Sequence, residues 1–162
     1  SEIAMKTLKD AFTHTLQDIY YAETALTKAL PKVIEATSNG PLKLALSEHL
    51  SETKDQVAQL KKVFKAIGEP AKGEKCDAIE GLIKECEGVM EEAKGAVAKH
   101  AMIIGCCQAI EHYEIARYGT LREWAKALGE KDAHDILSSI LDQEKAANSK
   151  LTAIAVDAVN RA

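Results

Sequence analysis

The sequence predicts an all-α protein: four long helices packed as a bundle, joined by one long crossover that contains an additional short helix. Three observations predict it. Ala, Leu, Lys and Glu dominate a chain of 162 residues in which apolar residues make up 46% and aromatics only 4%, a composition that favours helix over a β-sandwich or an α/β sheet. Apolar residues recur at alternating spacings of three and four along four long stretches, as an amphipathic helix requires. The breaks between the long stretches carry glycine or proline, at Asn39-Gly40-Pro41, Gly68-Glu-Pro70 and Gly129. The length suits a single domain over residues 1–162 with a sizeable core.

The first helix begins near Thr7. Thr7-Leu-Lys-Asp10 has the form of a capping box, and the helix dipole favours an acid in the first turn. Its apolar stripe runs through Leu8, Phe12, Leu16, Ile19, Leu26, Leu30 and Val33. Pro31 removes one backbone hydrogen bond, which predicts a kink or a shift of register. Asn39-Gly40-Pro41 ends the helix, and the second starts at Pro41, a good first-turn residue. The second stripe is Leu42, Leu46, His49, Glu52/Thr53, Gln56, Leu60, Val63 and Ile67, stopped by Gly68-Glu-Pro70. A shorter helix follows over 77–93, opening on a second capping-box pattern, Asp77-Ala-Ile-Glu80. It is too short to match the others, so Gly68 to about Gly95 reads as the crossover. The third main helix covers 96–128 with Gly129 as its stop. The fourth starts at Lys131/Asp132, with a stripe of Ile136/Leu137, Ile140, Glu144, Ala147, Leu151, Ile154 and Ala158. Short connections make the first and second helices antiparallel, and likewise the third and fourth. A crossover of ~25 residues returns the chain along the bundle, so that the second and third run parallel, which is the ferritin-like arrangement.

Several function classes are disfavoured. The formal net charge of −4 provides no global basic field for nucleic acid or an anionic membrane, so neither is expected as a partner. No apolar run approaches the ~20 residues that span a bilayer. Ser1-Glu-Ile-Ala-Met-Lys6 has no signal-peptide core, and Cys76, Cys86, Cys106 and Cys107 match no zinc motif. They read as reduced thiols of a cytoplasmic protein, packed as small hydrophobes.

The chemistry lies in polar residues trapped on the apolar stripes. Ile19 and Leu26 bracket Glu23; His49, Glu52 and Gln56 interrupt the second stripe; Glu111 and Glu114 share the third with Cys107, Tyr118 and Leu121; Ile140 and Leu151 bracket Glu144. Glu111 and Glu114, three apart, point ~60° from each other around the axis. Glu111 and Glu144 lie roughly 15–18 residues either side of the turn near Gly129, and Glu23 and Glu52 roughly 13–17 either side of Asn39-Gly40, so the acids reach similar heights. Carboxylates gathered in one apolar core repel strongly unless protonated or neutralised by cations. A Glu from each of two helices plus Glu-x-x-His from the other two is the ligand pattern of dinuclear carboxylate bundles. This chain departs from it: Asp55 and Ala147 stand three residues after Glu52 and Glu144, and His49 precedes Glu52 instead. An oxygen-rich set with one imidazole suits Fe, Mn or Zn. Each residue also has a plainer reading. A lone stripe acid is commonly solvated at the stripe edge, His49 can be a hydrogen-bonded core residue, and Tyr20, Tyr113 and Tyr118 can be packing residues. Tyr118 is also placed to donate a hydrogen bond to the site. His112 and Asp18 fall off the seam, and His14, His100 and His134 are expected at the surface.

Asp18-Ile-Tyr-Tyr-Ala-Glu23, Glu48-His-Leu-Ser-Glu52-Thr-Lys-Asp-Gln56, Lys75-Cys-Asp-Ala-Ile-Glu-Gly-Leu82, Glu111-His-Tyr-Glu-Ile-Ala-Arg-Tyr-Gly-Thr-Leu121 and Asp142-Gln-Glu-Lys145 resemble the YciE/YciF family of bacterial ferritin-like proteins. The resemblance extends from about Met5 to Ala158. It implies a ferritin-like domain in a bacterial cytoplasm, a dinuclear metal site, a homodimer and a stress-related role without a settled biochemical activity. Glu23, Glu52, Glu111, Glu114 and Glu144 match the family's acidic motifs. Peroxide-reducing relatives such as rubrerythrins use Glu-x-x-His, which this chain lacks, so whether it is an enzyme stays open. The expected function is a metal-binding protein holding two divalent ions, iron before manganese or zinc, on Glu23, Glu52, Glu111, Glu114, Glu144, His49 and Gln56. The alternative is a structural or interaction bundle whose acids are satisfied by protonation, by water or by Arg117 and Arg122.

Overall fold

The structure, a computed structural model, describes residues 4–161. The ends of the expected domain, residues 1–3 and 162, lie outside the described residues, as does the start of the segment read for an export signal. The helices are α1 Leu8–Glu35, α2 Gly40–Ala66, α3 Asp77–Glu92, α4 Ala96–Ala127 and α5 Lys131–Ile154, the last running into a π-helical turn, Ala155–Val159. No strand occurs among the described residues. The four long helices are α1, α2, α4 and α5, and α3 is the crossover helix.

Local chemistry sets the helix ends. Asp10 N–H donates to Thr7 Oγ1 and Thr7 N–H donates to the Asp10 carboxylate, each at 3.1 Å, closing the capping box at α1. Asn39 caps α2 by accepting from Leu42 N–H at 3.0 Å, so the helix starts at Gly40 with Pro41 in its first turn. At α3 the expected capping box at Asp77 is not what forms. Cys76 is the N-cap, its buried thiol accepting from Ile79 N–H at 3.4 Å, and Asp77 lies inside the first turn. Pro31 sits on the exposed side of α1, so no register shift follows: Leu26, Leu30 and Val33 stay on the buried face. Leu8, assigned to that stripe, is instead 38% exposed at the helix end. The α4–α5 turn uses Gly129 at φ 72° with Glu130 N–H donating to Ala125 O at 2.9 Å, a left-handed stop that needs no Cβ.

α1 packs on α2 and α4, and α5 packs on the same two, so α1 and α5 stand diagonally across the bundle. Ser38 N–H donates to His100 Nε2 at 3.1 Å, which sets the start of α4 beside the α1–α2 turn and makes α2 and α4 parallel. An ion pair between Lys150, late in α5, and Glu48, early in α2, fixes those two as antiparallel. The crossover presses on α1: Glu74 N–H donates to Gln17 O at 3.2 Å, and a Cβ at Gly73 would lie 3.0 Å from Tyr21 Cβ. Two apolar clusters fill the bundle. One includes Phe12, Leu16, Phe64, Ile79, Leu121 and Leu137, the other Leu42, Leu46, Ile103, Ile104 and Leu151. The trapped polar residues lie between them.

Candidate metal centre

α1 contributes Glu23, α2 His49, Glu52 and Gln56, α4 Glu111 and Glu114, and α5 Glu144. Each is mid-helix, where the backbone is rigid and the side chain is held by the apolar residues a turn away. Glu23, Glu114 and Glu144 are fully buried, Glu111 is 1% and His49 8% exposed, and Gln56 is fully buried. One ligand atom from each of His49, Glu111, Glu114 and Glu144 lies within 4.8 Å of all the others. His49 Nε2 is 2.9 Å from Glu111 Oε1. Glu23 stands beside this group, and its Oε1 accepts from the Tyr118 hydroxyl at 2.9 Å. Gln56 Nε2 donates to Gln143 Oε1 at 3.2 Å. Glu52 is only half-buried and lines a cavity of about 250 Å³ together with Glu48, His49, Glu111, Lys150 and Leu151.

The electrostatics are those of acids without enough partners. Burial pushes the Glu23 and Glu111 carboxyls up to about 7 and Glu144 up to about 8, and lifts Glu114 well above the ordinary value of 4.5. Repulsion adds to burial: Glu144 acts on Glu23, Glu23 and Glu52 on Glu111, and Glu144, Glu23 and Glu111 on Glu114. Glu23 Oε2, Glu111 Oε2, both oxygens of Glu114 and of Glu144, His49 Nδ1 and Gln56 Oε1 are buried and paired with no neutral or cationic donor, while Glu23 with Glu114, Glu111 with Glu144 and Glu114 with Glu144 lie close enough to share a proton. Such orphaned groups each cost about 1–3 kcal/mol, more when charged. The arginines weighed as partners are engaged elsewhere. Arg117 lies over the Tyr113 ring at 5.2 Å and Arg122 pairs with Glu123.

The donor set fits divalent cations. Ligand atoms bound at about 2.0–2.2 Å lie up to roughly 4.4 Å apart across a metal, within the 4.8 Å envelope of His49, Glu111, Glu114 and Glu144. The four buried glutamates, ionised, would carry four negative charges, which two divalent ions balance. Oxygen donors with one imidazole suit first-row metals over soft Cu(I).

Some placements differ from expectation. His100, assigned to the surface, is 7% exposed and accepts from Ser38 N–H. Its spacing to Ile103, Ile104, Cys107 and Glu111 placed it on the α4 stripe, a signal the sequence reading passed over. Asp18 is off the seam, as expected, yet accepts from the Tyr113 hydroxyl at 2.6 Å, and that hydroxyl lies 3.1 Å from Cys76 Sγ. His14 and His112 are exposed, His112 Nδ1 lying 2.7 Å from Gln108 O, and His134 is half-buried. Glu48 and Gln143, quoted only within motifs, and Lys150 had no expected role at the site. They are polar residues on polar faces, and only the helix packing brings them to the site.

Fold and site together define a ferritin-like helical bundle with a buried carboxylate–histidine cluster. The chain belongs to the family described as a domain of unknown function (DUF892), which matches residues 7–162. It is 42% identical to Protein YciF of Escherichia coli K12 over 158 residues, covering 97% of this chain and 95% of that protein. The crystal structure of the E. coli stress protein YciF superposes with a TM-score of 0.93, covering 98% of this chain and 100% of that one. YcfI of Rhodopseudomonas palustris, for which a structural role has been suggested, is 46% identical with a TM-score of 0.91, covering 94% and 97%. A Xanthomonas campestris protein at 21% identity and a TM-score of 0.72, covering 91% and 90%, shares the fold. No helix among the described residues is long and apolar enough to cross a membrane.

Proposed function

We propose that this protein is a ferritin-like metal-binding protein of the bacterial stress response, holding two divalent ions, iron first among them, in the bundle core. The observation that carries the reading is the set of orphaned ligand atoms on Glu23, His49, Glu111, Glu114 and Glu144 in an otherwise apolar interior. Glu111, Glu114, Glu144 and His49 would hold one ion. Glu23, Glu114 and Glu144 would hold the other, with Gln56 flanking and Glu52, half-buried, outside the group. When bound, such ions supply Lewis-acid chemistry and, for iron or manganese, electron transfer to small oxygen species. The chain's own residues exclude water, fix the carboxylates and, through the Tyr118 hydroxyl, orient Glu23. A homodimer in the cytoplasm belongs to the same reading. Exposed Leu44, Val97, Met102 and Val156, near the bundle end that carries the α1–α2 turn, support an apolar contact. Similarity to a stress protein supports the stress role. Elemental analysis of protein purified without chelator from iron- and manganese-replete cells tests it: close to two ions per chain are expected, and a clearly substoichiometric content would sink the reading.

A second reading is a metal-free bundle, favoured by the upward shifts at Glu23, Glu111, Glu114 and Glu144, which let neighbouring carboxyls share protons near neutral pH. In that case Glu23→Gln with Glu144→Gln raises the melting temperature by relieving buried repulsion. The metal-binding reading expects a fall, measured on protein as isolated.

A further inference from the structure

The buried cluster meets the cavity that Glu52 lines through His49 and Glu111. The cavity's inner wall is His49 and Glu111, whose Nδ1 and Oε2 are orphaned and whose side chains are 9% and 1% exposed. Its rim is Glu48 on α2 and Lys150 on α5, paired with each other and each about half exposed, at 50% and 51%. Glu52 sits between these levels, half-buried, one helical turn from His49. It is outside the tight group of four ligand atoms. A water takes about 30 Å³ of liquid, so a cavity of about 250 Å³ has room for a divalent ion with a shell of about six waters.

We propose that this cavity is the entry port for the cation, that Glu52 is the capture carboxylate at its throat, and that the Glu48–Lys150 pair is its gate. This deepens the proposed function and rests on it. A hydrated cation reaching the rim displaces the Lys150 ammonium from Glu48. An exposed ion pair of this kind is weak, so the gate opens readily. Glu52 then trades its carboxylate for water on the ion and passes it to His49 and Glu111, one turn and one helix away. Glu52 is thus a positioning residue, needed for the rate of loading and not for the final count of ions.

Stopped-flow mixing of chelator-stripped full-length protein with aqueous Co²⁺, followed by the ion's visible absorption, tests this alongside equilibrium stoichiometry. Glu52→Gln, nearly isosteric and half exposed, is expected to slow loading about tenfold with the same number of ions bound at saturation. Glu52→Asp, which keeps the charge, restores most of the rate. Lys150→Gln, which removes the competing ammonium, speeds loading several-fold. An unchanged rate in Glu52→Gln, or a lower saturating count, would overturn the port. The two failures are separable: wild type that binds no Co²⁺, Fe²⁺ or Mn²⁺ overturns the metal site and the port with it, whereas wild type that binds normally beside an indifferent Glu52→Gln overturns the port alone.

Discussion

At the scale of single residues, the core acids decide the protein's response to pH. Unfolded, these carboxyls titrate near 4.5; folded, Glu23 and Glu111 titrate at about 7 and Glu144 at about 8. The metal-free folded chain therefore holds more protons than the unfolded one between those values, and stability falls as pH rises through that window. Well below 4.5 the penalty is absent, and it grows as the pH rises through about 7 and about 8. Melting curves of chelator-treated protein should drop steadily from pH 5 to pH 8, and saturating metal should flatten the drop because the ions favour the ionised form. A metal-free profile that rises over this range would contradict the assignment. The Tyr118 hydroxyl gives a second prediction. Tyr118→Phe leaves Glu23 Oε1 buried without its donor and should cost about 1–3 kcal/mol in denaturant unfolding of the metal-free protein. Glu23, Glu111, Glu114 and Glu144 were legible in the sequence as charges on stripes that alternate three and four. Glu52 was legible as a stripe residue but not as a half-exposed one. Thr53, about 100° further round the helix, takes the buried place, and the stripe alone could not rank the two.

At the scale of elements, the turns and caps were read largely from local chemistry, because Thr7, Asn39 and Gly129 act within four residues of themselves. The cap of α3 was not. Cys76 is an unusual cap, and only the burial of its thiol against Ile79 and Tyr113 selects it over the acid beside it. The crossover's path over α1 was equally hidden, since the contact of Gly73 with Tyr21 joins residues far apart in sequence. Two glycines of this segment should part company. Gly73→Ala pushes a methyl to 3.0 Å from Tyr21 Cβ and should destabilise by about 1–3 kcal/mol. Gly88→Ala, inside α3 with open space at its Cβ, should stabilise by about 0.5–1 kcal/mol. Thermal melts of the two variants check both signs, and equal shifts would mean the loop does not press on α1.

At the scale of the molecule, the antiparallel hairpins α1–α2 and α4–α5 set four helix midpoints at one height, and the acids sit at those midpoints. That convergence was predictable from the lengths on either side of Asn39-Gly40 and Gly129. The rotational phase of each helix was not, and it decides that Glu114 and Glu144 face inward completely while Glu52 faces a cavity. The layer of acids interrupts an apolar core that would otherwise run the length of the bundle. Four carboxyls in that layer are a standing cost to folding unless cations neutralise them, so bound metal should couple to global stability by mass action. The most direct measurement is an anaerobic calorimetric titration of chelator-stripped protein with Fe²⁺ near pH 7.5. The account predicts saturation at two ions per chain with release of protons, and loss of saturable binding in the Glu111→Gln, Glu144→Gln double variant. Absence of saturable binding in the wild type, or the same isotherm in wild type and double variant, would contradict it.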